Sequence, residues 1–227
     1  DLWLFQFSLA GYYGNSTEPD VIKNKGTFFH EDKFLFYQNY LEPKVSVPFA
    51  SFVYFCKQYN SYINDYAVEL KDIVEKSSHK IQIPWYNENL SIEFDGDNVE
   101  NLRKWEDTFL KSKDNIEPVS DFVGENIILE KLQSLYKKDY RVGFLGLEFF
   151  DYEKILGIDT RSNLYGFFEK DEFPEEHIAG KLPSEELLAY LDSPWGGDTL
   201  NITGAFLKKN DLLWQQFLLA REILYTR

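Results

Sequence analysis

The stretch KVSVPFASFVYF, residues 44–55, decides the fold that this sequence predicts. Its valines and phenylalanines are typical of a buried strand. Pro48 has no backbone N–H to give to a sheet, so it predicts an edge, a bulge or the end of that strand. Because ligand pockets often form where strands end, the residues that follow are candidates for a binding site.

The segments around this strand alternate between strand-like and helix-like patterns. DLWLFQFS (1–8) is a continuous apolar run, as in a sheet covered on both faces, and a loop over residues 10–20 follows it. The spacing of apolar residues predicts helices over 30–41 and about 60–76. This order predicts half of a layered α/β domain over residues 1–80.

The rest of the chain predicts a connector and a second domain. Short strand-like runs within 79–86 and 89–98, followed by an amphipathic helix over 99–113, predict a hairpin-and-helix connector over residues 81–117. Beyond a boundary near Pro118, residues 118–227 predict an α+β accessory domain. Its helices are expected over 119–137 and from the caps Ser184 and Asp211 onward, and its strands over 140–150, 163–170 and 198–207.

Composition narrows the function classes. The 227 residues carry a formal net charge of −14, which argues against a large phosphate-binding surface, so we expect no nucleic-acid partner. Cys56 is the only cysteine, which excludes an internal disulfide and the cysteine-rich zinc frameworks and favours a reducing compartment. No apolar run reaches the ~20 residues that cross a bilayer, and no signal peptide is recognisable. The sequence predicts an acidic, cytoplasmic, globular protein.

The start of the chain is abrupt. The sequence contains no methionine, and it begins directly with an apolar, strand-like run. We expect a fragment, a processed product or an isolated domain, whose upstream segment belongs to the same protein.

Three stretches carry a resemblance to a known family: QFSLAGYYGN (6–15), LEPKVSVPFASFVYFCKQYNSYIND (41–65) and SPWGGDTLNITGAF (193–206). Together they resemble the C-terminal half of a branch of the metallo-β-lactamase superfamily, the branch that includes CMP-N-acetylneuraminate hydroxylase. The resemblance covers roughly residues 1–75 and 185–207. It implies that the first domain is part of an αββα sandwich.

The resemblance also implies one or two divalent metals at the strand ends, with a metal-bound hydroxide as nucleophile. The family's His-x-His-x-Asp-His motif is absent from this chain, and its three histidines, His30, His79 and His177, lie far apart. Ala50 stands where many members carry a metal-binding histidine, and Cys56-Lys57 stands where relatives often have Ser-His or Cys-His. We therefore expect no metal ligand and no assignable catalytic residue in this chain, with zinc or iron as a cofactor only of a longer protein.

The two strands also predict a substrate site. If they run parallel, the loop after the first and the segment after the second emerge at the same edge of the sheet. We expect Tyr12, Asn15, Ser51, Lys57, Asn60 and Asp65 to gather there around one concave site for a small molecule. Glu148, Asp151 and Glu153 could form an acid/base pair near another strand end, although a solvated strand end is the simpler interpretation.

Three functions stay open on the sequence. The first is a metal-dependent hydrolase-like protein, an enzyme only when the upstream segment supplies the metal ligands. The second is a non-enzymatic binding module whose aromatic-lined apolar pocket receives a lipid-like or aromatic ligand. The third is a scaffold that needs a separate N-terminal polypeptide to complete its sheet. A His-x-His-x-Asp-His motif upstream would favour the first.

Overall fold

The computed structural model describes residues 1–50, 52–119, 122–135, 143–159, 162, 164–193 and 196–225. The chain divides into two compact units. The first contains Asp1–Cys56 and Ser61–Ile116, and the second contains Lys57–Asn60 and Glu117–Arg227. Parallel and antiparallel strands alternate with helices, which confirms the predicted α/β class.

The sheet of the first unit is the predicted pair of parallel strands. β1 (Leu2–Gln6) pairs with β2 (Val45–Ala50), and Leu2 lies opposite Val45. The register shifts after Phe5, which pairs with Pro48, because Phe49 is an extra residue on β2. Pro48 therefore stands next to a bulge, one of the places where a strand tolerates proline.

The helices after β1 differ from the prediction. Residues 10–20 were assigned to a loop, but α1 (Pro19–Thr27) begins inside it, since proline suits the first turn of a helix. The predicted helix over 30–41 is a π-helical segment, Phe28–Leu35, followed by α2 (Phe36–Leu41). The core between helices and sheet is aromatic, and its buried members include Phe5, Phe7, Phe34 and Trp105.

The predicted helix over 60–76 is two separate elements. A 3₁₀ helix, Ser61–Tyr66, precedes α3 (Leu70–Lys76). The Asn64 side chain accepts from the Phe55 N–H and donates to the Phe55 carbonyl, and the Val68 N–H donates to the Ser8 hydroxyl. These bonds hold the segment to the chain around Ser8 and Phe55 and interrupt the helical ladder.

Residues 81–116 form part of the first unit rather than a connector, because Ile81, Ile83 and Trp105 are buried in its core. The helix predicted over 99–113 is α4 (Val99–Lys113). The predicted hairpin is wrong: Ile81 makes one isolated bridge with Ser46. The backbone of this segment bonds to a side chain and not to a second strand. The Ile83 N–H donates to the Asn98 side chain, and the Asn98 amide donates to the Ile81 carbonyl.

The second unit contains a five-stranded sheet in the order β5-β4-β3-β6-β7, parallel between β3 and β6 and antiparallel elsewhere. Its strands are β3 (Leu145–Phe149), β4 (Lys154–Asp159), β5 (Leu164–Glu169), β6 (Ile178–Leu182) and β7 (Leu207–Lys208). The sequence did not predict β4 and β6. The helices are α5 (Glu125–Leu135), α6 (Ser184–Asp192), α7 (Gly196–Thr203) and α8 (Asp211–Tyr225), and 3₁₀ turns span Lys170–Glu172 and Glu175–His177.

The strand predicted over 198–207 is also wrong, since most of it is α7. In a strand, Leu200 and Ile202 would share a face, but Leu200 is 1% exposed and Ile202 is 60% exposed. Gly204 follows the helix with φ 61° and donates its N–H to the Leu200 carbonyl. A glycine with a left-handed backbone conformation directly after the last helical residue is a common helix C-terminus.

The two predicted caps act differently from expectation. Ser184 is the first residue of α6, and its N–H donates to the Asp151 carboxylate, at 3.0 Å to Oδ1. Asp151 therefore caps α6 from outside the helix. At α8 the capping acceptor is Asn210, whose Oδ1 takes the Leu213 N–H at 3.1 Å, and Asp211 occupies the first turn.

Candidate functional site

The predicted loop residues Tyr12 and Asn15 contact each other in the first unit. The Tyr12 hydroxyl donates to Asn15 Oδ1 at 2.8 Å. The loop is also held at Gly14, whose carbonyl accepts from the Tyr62 hydroxyl at 2.9 Å. This part of the predicted site is thus a braced loop that follows the end of β1.

Asp65 lines a separate pocket of the first unit, with a cavity volume of about 380 Å³. Tyr12 and Asn15 are not among its lining residues, and Ser51 lies outside the described residues. Its charged groups are one ammonium and two carboxylates, and the full lining is Lys23, Gly26, Thr27, Asp65, Tyr66, Ala67, Val68 and Asp72. Such a wall suits a small polar ligand, whereas the lipid-like ligand of the alternative function would need an apolar one.

Lys57 and Asn60, the other two predicted residues, belong to the second unit, although their neighbours in sequence belong to the first. We call residues 57–60 the 57–60 insert. The Gln58 N–H donates to the Glu117 carbonyl at 2.8 Å, and the Asn60 side chain donates to the Thr203 carbonyl at 2.7 Å. Asn60 is 5% exposed, so it holds the backbone and has little surface left for a substrate.

Tyr59, between them, is also buried and is held by both its ring and its hydroxyl. Its ring stacks on Phe150 with centroids 5.9 Å apart. Its hydroxyl donates at 3.1 Å to Glu186 Oε1 and lies 3.4 Å from Glu185 Oε1. Burial, together with the two carboxylates, raises the pKa of Tyr59 far above its usual value, so the hydroxyl stays a donor.

The acidic partners of the insert differ in their electrostatics. Burial raises the pKa of the Glu186 carboxyl, and the Glu185 carboxylate adds to the rise, while hydrogen bonds from Tyr59 and Thr203 and the charge of Lys57 oppose it. The Lys57 ammonium lies 2.7 Å from Glu117 Oε2 and 3.5 Å from Glu185 Oε1. The hydrogen bond to Glu117 is the main reason why the pKa of Lys57 is raised, and Lys57 remains a cation.

The acidic residues near β3 do not form an acid/base pair. Glu148 pairs with Lys209 at 2.9 Å and Glu153 pairs with Lys170 at 2.7 Å. Asp151 accepts from Ser184, as described above. Each carboxylate has its own structural partner, and only Glu153 is solvated as the simpler interpretation expected, since the Glu148 side chain is 15% exposed.

The side chains that could bind a metal are dispersed. Within the part of the chain that the structure describes, no group of three His, Cys, Asp or Glu side chains is placed to hold an ion. Cys56 lies 3.5 Å from the Tyr54 carbonyl as a thiol donor, and the His177 ring packs edge-on against Phe144.

Sequence reasoning missed Tyr59, Glu185, Glu186 and Thr203. The Glu185-Glu186 pair was recognisable only as acidic residues in the first turn of a helix. Their partner Tyr59 lies 127 residues earlier than Glu186, and nothing in the local pattern of either segment indicates that they meet.

None of the helices in the described ranges combines the length and the apolar character that a bilayer crossing requires. Comparisons of the chain with protein-family models, with curated proteins and with solved structures find no match.

Proposed function

We propose that the chain is the C-terminal part of a metal-dependent, hydrolase-like protein with a metallo-β-lactamase fold. In this proposal it supplies two strands of the sheet and an accessory unit. A preceding segment of the same protein supplies the metal ligands, zinc or iron being the expected ion. The protein works in a reducing compartment such as the cytoplasm, where the free thiol of Cys56 is stable.

The observation that carries the proposal is the parallel pair of strands with one edge left over. Among the described residues β1 pairs with β2 and with no other strand. An isolated two-stranded sheet is marginal in water, and an unpaired edge offers N–H and C=O groups to a further strand. Leu2 and Leu4 of β1 are 37% and 48% exposed. Leu2 and Leu4 are alternate residues and so share one face of the sheet, and an added segment would cover that apolar face.

The chain's own residues have defined roles in this proposal. The strand ends and the braced loop with Tyr12 and Asn15 shape one wall of the substrate site. The chemistry of the metal, which is to activate a water molecule, would come with the preceding segment. The chain alone is then expected to bind no catalytic metal and to hydrolyse no ester or phosphodiester.

The test is complementation. The chain is produced alone and together with the segment encoded immediately upstream, and each preparation is stripped with chelator, reloaded with zinc or iron and desalted. We expect near-stoichiometric metal and chelator-sensitive turnover of generic esters or phosphodiesters only in the completed protein. Retained metal with turnover by the chain alone, or no metal in the completed protein, would refute the proposal.

A pair of variants tests the exposed apolar face of β1. Leu4→Lys places a charge on the face that the added segment is expected to cover, whereas Leu110→Lys, on α4, changes a leucine that is 59% exposed. We expect Leu4→Lys to abolish association with the upstream segment without changing the unfolding of the chain alone. Leu110→Lys should associate normally. Equal association of both variants would contradict the role given to β1.

A further inference from the structure

The pocket of the first unit that Asp65 lines has two walls of different charge. One wall is the last part of α1 and carries Lys23, Gly26 and Thr27, which lie three and four residues apart on one side of the helix. The other wall is formed by residues between Asp65 and Asp72. The first wall thus offers an ammonium and a hydroxyl, and the second offers two carboxylates. We call this cavity the α1 pocket.

The two walls meet at Gly26. A Cβ atom on Gly26 would lie 2.8 Å from the Tyr66 carbonyl oxygen, so α1 can approach the 3₁₀ helix this closely only because glycine has no side chain. Ile22 of α1 belongs to the buried cluster against which Tyr66 packs, and the Val68 N–H donates to the Ser8 hydroxyl at 2.6 Å. Both walls are therefore held in place by the fold, and a preformed site lowers the cost of binding a ligand.

The chain leaves the charged groups of the α1 pocket without partners. Throughout the ranges that the structure describes, the side chains of Lys23, Asp65 and Asp72 form no hydrogen bond and no ion pair, either with one another or with a further residue. An ammonium and two carboxylates thus line one cavity without touching. A ligand that carries both signs of charge can bridge the gap between them.

We propose that the α1 pocket binds a free amino acid with a basic side chain. The carboxylate of the ligand meets the Lys23 ammonium and the Thr27 hydroxyl, and its two cationic groups meet Asp65 and Asp72. The cavity volume of about 380 Å³ lies within the range of small-molecule sites. This inference does not rest on the proposed function.

The charges of the lining favour this class over simpler ligands. An inorganic anion would stand beside two carboxylates, and a divalent cation would stand beside the Lys23 ammonium, so each would meet a like charge. An acidic amino acid has one positive and two negative charges, which is the reverse of what the walls need. A basic amino acid has two positive charges and one negative charge, and it matches one ammonium and two carboxylates.

The test is a titration of the whole chain with L-lysine, followed by the backbone amide signals in NMR spectra. We expect the amides of α1 and of residues 65–72 to shift together, because both walls contact the ligand. Norleucine lacks the side-chain ammonium, cadaverine lacks the carboxylate, and glutamate carries the reversed charges. Each of these three should bind about tenfold more weakly than L-lysine or worse, since each loses a hydrogen bond between charged groups.

Four variants assign the contacts. Lys23→Gln should weaken L-lysine about tenfold and should not weaken cadaverine, which has no carboxylate to lose. Asp72→Asn should weaken both ligands. Lys25→Gln, on α1 but outside the lining, and Glu75→Gln, on α3 but outside the lining, are the matched controls and should bind like the natural protein.

Three results would overturn the proposal. The first is the absence of shifts in α1 and residues 65–72 up to about 20 mM L-lysine, since binding weaker than this would leave the site empty. The second is equal affinity for L-lysine and cadaverine, which would leave Lys23 without a role. The third is calcium that produces the same shifts and displaces L-lysine, because the pocket would then be a cation site.

Discussion

Gly180 in β6 is a residue whose surroundings leave no room for a side chain. A Cβ atom there would lie 2.6 Å from the Leu207 carbonyl oxygen and 2.7 Å from the ring of Trp214. Trp214 is fully buried, so neither neighbour can give way without moving β7 or α8. The requirement for glycine comes from the close approach of these groups.

We expect Gly180→Ala to lower the free energy of unfolding by about 1–3 kcal/mol through overpacking. Gly166→Ala is the matched control on β5, because the nearest atom to its Cβ would be 3.7 Å away, in ordinary contact. That control should change stability by no more than about 0.5 kcal/mol. Urea denaturation of both variants measures the difference, and equal stabilities would show that β6 relaxes around the new methyl group.

Helix α6 depends on a cap that comes from another part of the chain. The Asp151 carboxylate follows β3 and accepts both the N–H and the hydroxyl of Ser184. The same Ser184 hydroxyl accepts the Val123 N–H at 2.7 Å. Because Ser184 is fully buried, water cannot replace Asp151 as the acceptor.

Asp151→Ala is expected to lower the free energy of unfolding by about 1–2 kcal/mol, and Asp151→Asn by less, since the amide keeps one acceptor oxygen. Asp192→Ala, at the other end of α6, removes a carboxylate that forms an exposed ion pair with Lys131, so it should have little effect. Denaturant titrations of the three variants measure these differences. A loss in Asp192→Ala as large as in Asp151→Ala would contradict the capping role.

What the sequence could predict depends on the range of the interactions. The β1/β2 pair and α4 were predicted because their apolar patterns are local and unambiguous. The prediction of a hairpin within 79–98 was wrong because hydrogen bonds with the Asn98 side chain take the place of bonds between strands. Helix α7 was predicted as a strand because its short apolar run fits the repeat of a strand as well as that of a helix. Of the predicted site, Lys57 and Asn60 were recognised as candidates. Their distant partners, Glu185 for Lys57 and Thr203 for Asn60, lie more than a hundred residues away and were not predicted.

The charge of the whole chain sets its response to salt. It carries 38 acidic residues against 24 Lys and Arg, a formal net charge of −14. Such an excess favours expanded conformations through self-repulsion, and salt screens that repulsion. The exposed ion pairs weaken under the same screening, but each contributes little.

We therefore expect the midpoint of thermal unfolding to rise between 10 and 200 mM NaCl at pH 7, each kcal/mol of relieved repulsion corresponding to about 2–4 °C. Tetramethylammonium chloride at equal ionic strength should raise the midpoint by the same amount. Such agreement would show that the effect is charge screening and not specific binding of sodium. Differential scanning calorimetry measures both series. A fall in the midpoint with added salt would mean that ion pairs outweigh the net repulsion.

The position of the 57–60 insert in the chain has a consequence for folding during synthesis. The insert leaves the ribosome well before its partners, since Glu186 follows Tyr59 by 127 residues and Thr203 follows Asn60 by 143. Closing loops of this length is slow, and the contacts stabilise nothing until the loop has closed. The 57–60 insert therefore reaches its place in the second unit only after Glu186 and Thr203 have been translated. Until then, Tyr59 is an exposed aromatic residue of the nascent chain.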